Sequence, residues 1–298
     1  MRAPSLAQLL VGHWHPAWSL DAAAVVVGWL YLWAAHGVRG RWPAGRTLSF
    51  LAGTACVLVA LQSGIDAYDD RLLSVHMVQH MLLLLLAPLL ILGGRPVILA
   101  LRTLHGEHRR TLARALTRLR GVTRPAVCLA VFAAVVLLTH LPAFFALTLR
   151  DGAVHAAEHL LFLVAGMLLW WPVLDGDPVP RERLGGMGRL VYVLLAMIPM
   201  AAVGAYLDRN SSLVYSGYAA PAHALGVSAL ADQAQAGAIM WVAGGTVMVA
   251  VGLWASMAAL IEEERRQRAR DAREARELRE PLDAREARDP REAPGVAR

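Results

Sequence analysis

The chain has 298 residues, 57% of them hydrophobic, with a formal net charge of +6 and a mean hydropathy of +0.45. Soluble domains of this size rarely reach that hydropathy, so the composition excludes an ordinary soluble domain and points to a membrane protein. All 29 basic residues are arginine; they sit in loops and a tail beside apolar runs, where membrane orientation accounts for them and no nucleic-acid partner is needed.

A membrane helix needs about 20 apolar residues. Residues 1–17 form an N-terminal segment carrying His13 and His15. The first span is expected near 18–38 and leads into a loop with Arg39, Arg41 and Arg46. The second, near 47–65, is the shortest of the set and ends at Asp66. The third, near 72–94, contains "HMVQHMLLLLLAPLLILGGRP" from His76. A loop rich in arginine follows, from Arg95 to Arg124, in which Leu112, Leu116 and Leu119 recur at helical spacing. That pattern predicts a helix lying on the inner leaflet against anionic lipid. The fourth span, near 124–141, closes on His140, and the fifth, near 152–174, reads "HAAEHLLFLVAGMLLWWPVL" from His155. Trp170 and Trp171 are expected in an interfacial aromatic belt. The sixth span, near 188–207, ends at Asp208, and the seventh, near 231–261, opens on Asp232. Gly237, Gly244, Gly245 and Gly252 on the seventh are expected to admit a close neighbour. The tail, 262–298, alternates Glu and Arg at helical spacing as far as Pro281. Pro290, Pro294 and the lack of apolar residues predict disorder beyond it.

The expected fold is therefore all-α: a polytopic membrane protein, a seven-transmembrane-helix bundle over 18–261. Of the arginines, only Arg2, Arg71, Arg150 and Arg209 fall on the side opposite the rest. The positive-inside rule places the N-terminus outside and the C-terminus in the cytoplasm, which an odd number of spans also requires. No cleavable signal peptide is expected, because the first apolar stretch is long enough to span. Cys56 and Cys128 lie in apolar runs without a CxxC pair, so neither a disulfide framework nor a thiolate metal site is expected.

Within this frame the polar residues are unevenly placed. His76 and His80 lie about 6 and 12 Å along the third span from Leu72, on one face, because four residues make little more than one turn. His155 and His159 repeat the spacing at similar depth, with Glu158 between them. With Asp66, His140, Asp208 and Asp232 they define one ionisable layer, expected in the outer leaflet. Two readings compete: separate polar contacts between helices, or a shared metal or cofactor site of His76, His80, His155 and His159, with Glu158 and Asp232 as ligands or supporting acceptors. Neutral imidazole suits zinc, copper, iron and nickel. Met77 and Met81 follow the first two histidines, although methionine is also a common gap-filler. His13, His15 and His223 are expected to be ordinary interfacial residues, and His105 and His108 belong to the other face. No nucleotide fingerprint or hydrolase elbow accompanies the spans, so no catalytic module is expected.

The stretches from His76 and His155, together with "ADQAQAGAIMWVAGG" around Asp232, resemble the signature segments of the CtaG-type, multi-span cytochrome c oxidase (caa3-type) assembly factors. The resemblance covers roughly residues 15–260. It implies a non-enzymatic role in maturing a haem-copper oxidase of a bacterial-type plasma membrane, with oxidase subunits and membrane lipid as partners and no nucleic acid. Copper delivery, or maturation of the oxidase's outer copper centre, follows from that role and from the ligand chemistry. A haem-binding electron-transfer protein is the alternative, with one axial histidine from each pair. A proton-coupled transporter is a third reading, and zinc an alternative metal. Oligomeric state is not legible.

Overall fold

The computed structural model describes residues 4–38, 41–174 and 183–286 of the chain. Among them every regular element is a helix. Six helices are long and apolar enough to cross a membrane: Trp18–Gly37, Ala44–Tyr68, Leu73–Thr103, Gly152–Val173, Gly186–Arg209 and Ala229–Ala275. A seventh candidate is the pair Pro125–Thr139 and Pro142–Thr148, bent by 75°, which is either one broken span or a re-entrant loop. These spans, numbered first to seventh in chain order with the bent pair as the fourth, mark a multi-pass membrane protein. The second, at 25 residues, is not the shortest; the first, at 20, is shorter. The bend of the fourth has a local cause: Pro142 has no N–H to donate, and it holds Leu141 extended (φ −65°, ψ 132°), so the helix stops at His140.

The third, fifth, fourth, sixth and seventh spans form a ring in which each packs on the next, and the seventh returns to the third. The second span lies outside this ring against the third, and the first lies against the second. Apolar side chains of the ring fill the core, with Phe132, Phe162, Leu169, Trp170 and Met248 wholly buried. Trp170 is thus turned inward rather than placed in an interfacial belt. The first span buries only Gly28 and Tyr31; the Tyr31 hydroxyl donates to the Gly94 carbonyl (2.6 Å), and its ring stacks on Phe50.

Small residues set the closest approach. A methyl group added at Gly237 would strike the Gly204 carbonyl, so the sixth and seventh spans cross backbone to backbone. Gly244, Gly245 and Gly252 continue that contact against Met200, Met197 and Val193 of the sixth span, as their spacing predicts.

Two spans are interrupted by π turns, Leu82–Leu86 in the third and Ile239–Ala243 in the seventh. The Trp170 indole donates to the Leu85 carbonyl (2.9 Å), satisfying an acceptor within the first of these turns.

At the arginine end, Gly106–Leu119 forms a surface helix with no buried residue. Leu116 and Leu119 meet Val164, Met167 and Trp171 around an apolar recess of about 180 Å³. The seventh span continues as helix to Glu286, past the expected stop at Pro281. Pairs such as Arg266–Glu262 (3.0 Å) and Arg268–Glu264 (2.5 Å) line its solvated part. The last twelve positions, which include Pro290 and Pro294, lie outside the described residues, as do Arg2, Arg39 and Arg181.

Candidate metal centre

The third span needs help to begin. Leu72, at its N-cap position, offers no side-chain acceptor. Asp232 of the seventh span supplies one. Its carboxylate accepts from the Leu73 N–H (2.6 Å), the Ser74 N–H (3.3 Å) and the Ser74 hydroxyl (2.5 Å). A carboxylate at a helix N-terminus satisfies orphan donors and meets the positive end of the helix dipole. The fifth span is capped by its own Asp151, which accepts from Ala153 (2.8 Å) and Val154 (3.3 Å). These caps fix where each helix starts, and so where the residues four and eight positions later point.

The two histidine pairs converge. Ring centroids are 4.0 Å apart for His76–His80 and 4.3 Å for His155–His159 within the spans. Between them, His76 stacks on His155 at 5.2 Å, and His80 stands 6.4 Å from His159. Glu158 joins from the fifth span, its carboxylate 3.9 Å from His80 Nε2. One ligand atom each from His76, His80, His155 and Glu158 lie within 4.8 Å of one another. A second group of the same tightness comprises Asp69, His155 and His159, with the Asp69 carboxylate 3.6 Å from His155 Nε2. A tetrahedral ion with bonds of about 2.0–2.1 Å would hold its ligands about 3.3 Å apart, so closing around an ion asks for side-chain movements of an ångström or so.

Asp232 stands in neither group; its oxygens are engaged at the start of the third span. His159 completes the second group, not the first. His140 approaches from the fourth span, 6.1 Å from His80 between ring centroids.

Hydrogen bonding fixes two of the tautomers. Gln79 donates through its amide nitrogen to the Ala60 carbonyl (2.9 Å) and to Asp66 (3.2 Å), so its oxygen faces His159 Nε2 (3.0 Å). That nitrogen carries the hydrogen, and the lone pair is on Nδ1. In His140, Nδ1 donates to the Val136 carbonyl (2.7 Å), which leaves the Nε2 lone pair facing the interior. Imidazoles held in this way are ready-made ligands.

The centre of the cluster is unusual in what it lacks. Both ring nitrogens of His76 and of His80, Nε2 of His140 and of His155, and both oxygens of Glu158 are buried with no hydrogen-bond partner among the described residues. Buried polar atoms are nearly always paired, and each orphan costs about 1–3 kcal/mol. Here the orphans are gathered at one spot, and each neutral imidazole contributes one lone pair to it. A cation would satisfy those lone pairs and the Glu158 oxygens together, and the donor set fits copper or zinc. A haem would need the stacked His76 and His155 rings to part around the macrocycle.

Access is graded. His76 and His80 are sealed, whereas the His155 side chain is 19% exposed. Phe145 packs against His76 with ring centroids 4.9 Å apart, and Tyr215 stacks on Phe145 at 4.1 Å. Beyond these rings lies a cavity of about 470 Å³ lined by Asp70, Arg150, Tyr215 and Pro221 among others. The hydroxyls of Tyr215 and Tyr218 donate to the carbonyls of His140 and Asp69 (2.8 Å each), tying the loop after the sixth span over the cluster. Burial, with Asp66 and Asp70 beside it, pushes the Asp69 carboxyl up to about 8. A carboxyl raised in this way is readily ionised by a cation placed against it.

Sequence reasoning reached both pairs and Glu158 but missed Asp69, Gln79 and the aromatic cover. Gln79 was within reach, since it faces neither lipid nor water one position before His80. Asp69 sits in a "YDDR" connection where acidic residues are ordinary. Met77 packs in the core, and the Met81 sulfur lies beside Gly244. His13, His15 and His223 are exposed and outside the cluster.

Comparison with known proteins supplies context. A family model described as cytochrome c oxidase caa3 assembly factor matches residues 29–260. Uncharacterized proteins of Mycobacterium bovis and Mycobacterium tuberculosis are each 33% identical over 256 residues, covering 80% of this chain and 38% of theirs. One from Mycobacterium leprae is 29% identical over 266 residues, covering 85% of this chain and 40% of its own. The chain spans about two fifths of the length of these curated relatives. No solved structure matches it.

Proposed function

Because the chain belongs to the cytochrome c oxidase caa3 assembly factor family, we propose that it carries copper as cargo for a haem-copper oxidase of the plasma membrane. His76, His80, His155 and Glu158 hold the ion, with His140 and His159 beside them. The observation that carries this reading is the meeting of two histidine pairs, from two spans, around buried lone pairs that nothing else engages. Intramembrane ionisable groups are expensive and are kept where they act. In this reading Asp232 positions the third span rather than binding the ion, and Gln79 orients His159. No turnover is assigned; the role is to hold an ion and release it to an oxidase subunit.

The proposal includes an orientation. The arginine end faces the cytoplasm, with the tail 262–298, and the segment 1–17 lies outside. The cluster then opens outward from the membrane domain 18–261, toward the side where an outer copper centre is assembled.

Metal analysis of purified protein tests the reading. One equivalent of copper is expected, retained through size exclusion. His76→Ala and His80→Ala should lose it while the protein stays monodisperse in detergent, and oxidase activity in cells should fall. A full equivalent of copper on the double variant would sink the proposal. So would a preference for zinc in the presence of both metals.

A further inference from the structure

The two candidate groups share one residue. His155 belongs both to the sealed set with His76, His80 and Glu158 and to the set with Asp69 and His159. We propose that Asp69, His155 and His159 form a separate loading position for the metal ion. His155 passes the ion from there to the inner position, so that only one of the two is fully liganded at a time. The inference rests on the copper reading above and adds the route by which the ion enters.

Three observations support it. First, exposure falls along the path. Asp70 at the mouth is 69% exposed, the His155 side chain 19%, Asp69 6%, and His80 and Glu158 only 1% and 0%. An ion arriving from water therefore meets Asp70, then Asp69 and His155, before it can reach His76 or His80. Asp70 is partly offset by Arg71, 3.7 Å away, and Arg150 lines the same cavity. The attraction is thus local to the Asp69 carboxylate rather than spread over the rim.

Second, the loading position is built. Tyr218 anchors the Asp69 main chain (2.8 Å), and Gln79 holds His159 through Nε2 (3.0 Å). Both ligands are pinned from outside the group, and the remaining orphan there, His155 Nε2, lies 3.6 Å from the Asp69 carboxylate.

Third, the geometry suits a short step. His155 is stacked against His76 at 5.2 Å and tilted against His159 at 4.3 Å. An ion on His155 exchanges Asp69 and His159 for His76, His80 and Glu158 with small movements and without leaving the protein. No bond other than metal–ligand bonds changes, and no electron is transferred.

Full-length protein in detergent, stripped of metal and mixed with Cu(II) alone, separates the possibilities. Binding is followed by stopped-flow fluorescence, and the final state by electron paramagnetic resonance and stoichiometry. Asp69→Asn keeps the side-chain shape but cannot offer the ion an anionic oxygen, and is expected to slow loading roughly tenfold or more. Its final stoichiometry of one and its final spectrum should match the unaltered protein, and Asp69→Glu should restore the rate. His76→Gln should instead load quickly but stop at the outer position, with an altered spectrum and an ion that a chelator removes rapidly. An unchanged rate in Asp69→Asn overturns the proposal. Loss of the equivalent in Asp69→Asn also overturns it, because Asp69 would then be a ligand of a single site. Two equivalents bound at once would remove the sharing of His155. If the unaltered protein binds no copper, the underlying copper reading fails with it; any of the other failures leaves that reading standing.

Discussion

The residues of the candidate centre divide by how their polar atoms are engaged. Asp232 has both oxygens committed to the first turn of the third span, whereas Glu158 has neither committed to anything. The two acids should therefore respond differently to substitution. Asp232→Ala removes a charge-assisted cap and leaves buried donors unpaired, at a cost of about 2–3 kcal/mol. It is expected to lower the thermal unfolding midpoint in detergent markedly. Glu158→Gln should leave that midpoint nearly unchanged and weaken metal retention instead. Equal losses of stability would mean that Glu158 also has a structural partner. The histidine pairs were legible in the sequence because four-residue spacing on a helix fixes a shared face. Asp232 was legible as a buried acid but not in its role, since its bonds cross to a span far away along the chain. Asp69 was hidden for the opposite reason: nothing about an acid in a connecting turn says that the loop will fold inward.

Among the elements, the sixth and seventh spans show how a crossing depends on the absence of side chains. Gly237 faces the Gly204 carbonyl so closely that even a methyl group has no room. Gly237→Val should push the spans apart and, because Asp232 lies little more than one turn away, loosen the cap on the third span as well. Accumulation in the membrane is expected to fall severely. By contrast, Gly188→Ala, where a methyl would meet only Leu184 side-chain atoms at ordinary contact distance, should be tolerated. Immunoblots of membrane fractions would check both, and a stable Gly237→Val protein would contradict the close crossing. The glycines announced this contact through their helical spacing. The broken fourth span was less legible, because "THLPAFFAL" stays apolar on both sides of the break and only Pro142 marks it. Hydropathy measures how readily a segment enters lipid, not whether it remains straight there.

For the whole molecule, the asymmetry of the arginines is the strongest organising feature. A reporter fused after Val296 is expected to behave as cytoplasmic, and one inserted after Ser212, in the loop joining the sixth and seventh spans, as external. The opposite result would turn the histidine cluster toward the cytoplasm and remove the proposed outward route. That several segments cross, and in what order, was readable from apolar length, but the ring in which the third span meets the fifth and seventh was not, since the composition of a span does not name its neighbours. The two π turns add a constraint at this scale. A π turn holds one residue more than the α-helical turn it replaces, and in the third span the extra residue hides among five consecutive leucines, Leu82–Leu86. Losing any one of them would leave the hydropathy almost unaltered. Yet the turn would close to ordinary α-helix, and the widened segment whose Leu85 carbonyl accepts from Trp170 would be lost while the helix on either side kept its facing. Within that run the chain can change spelling far more freely than it can change length.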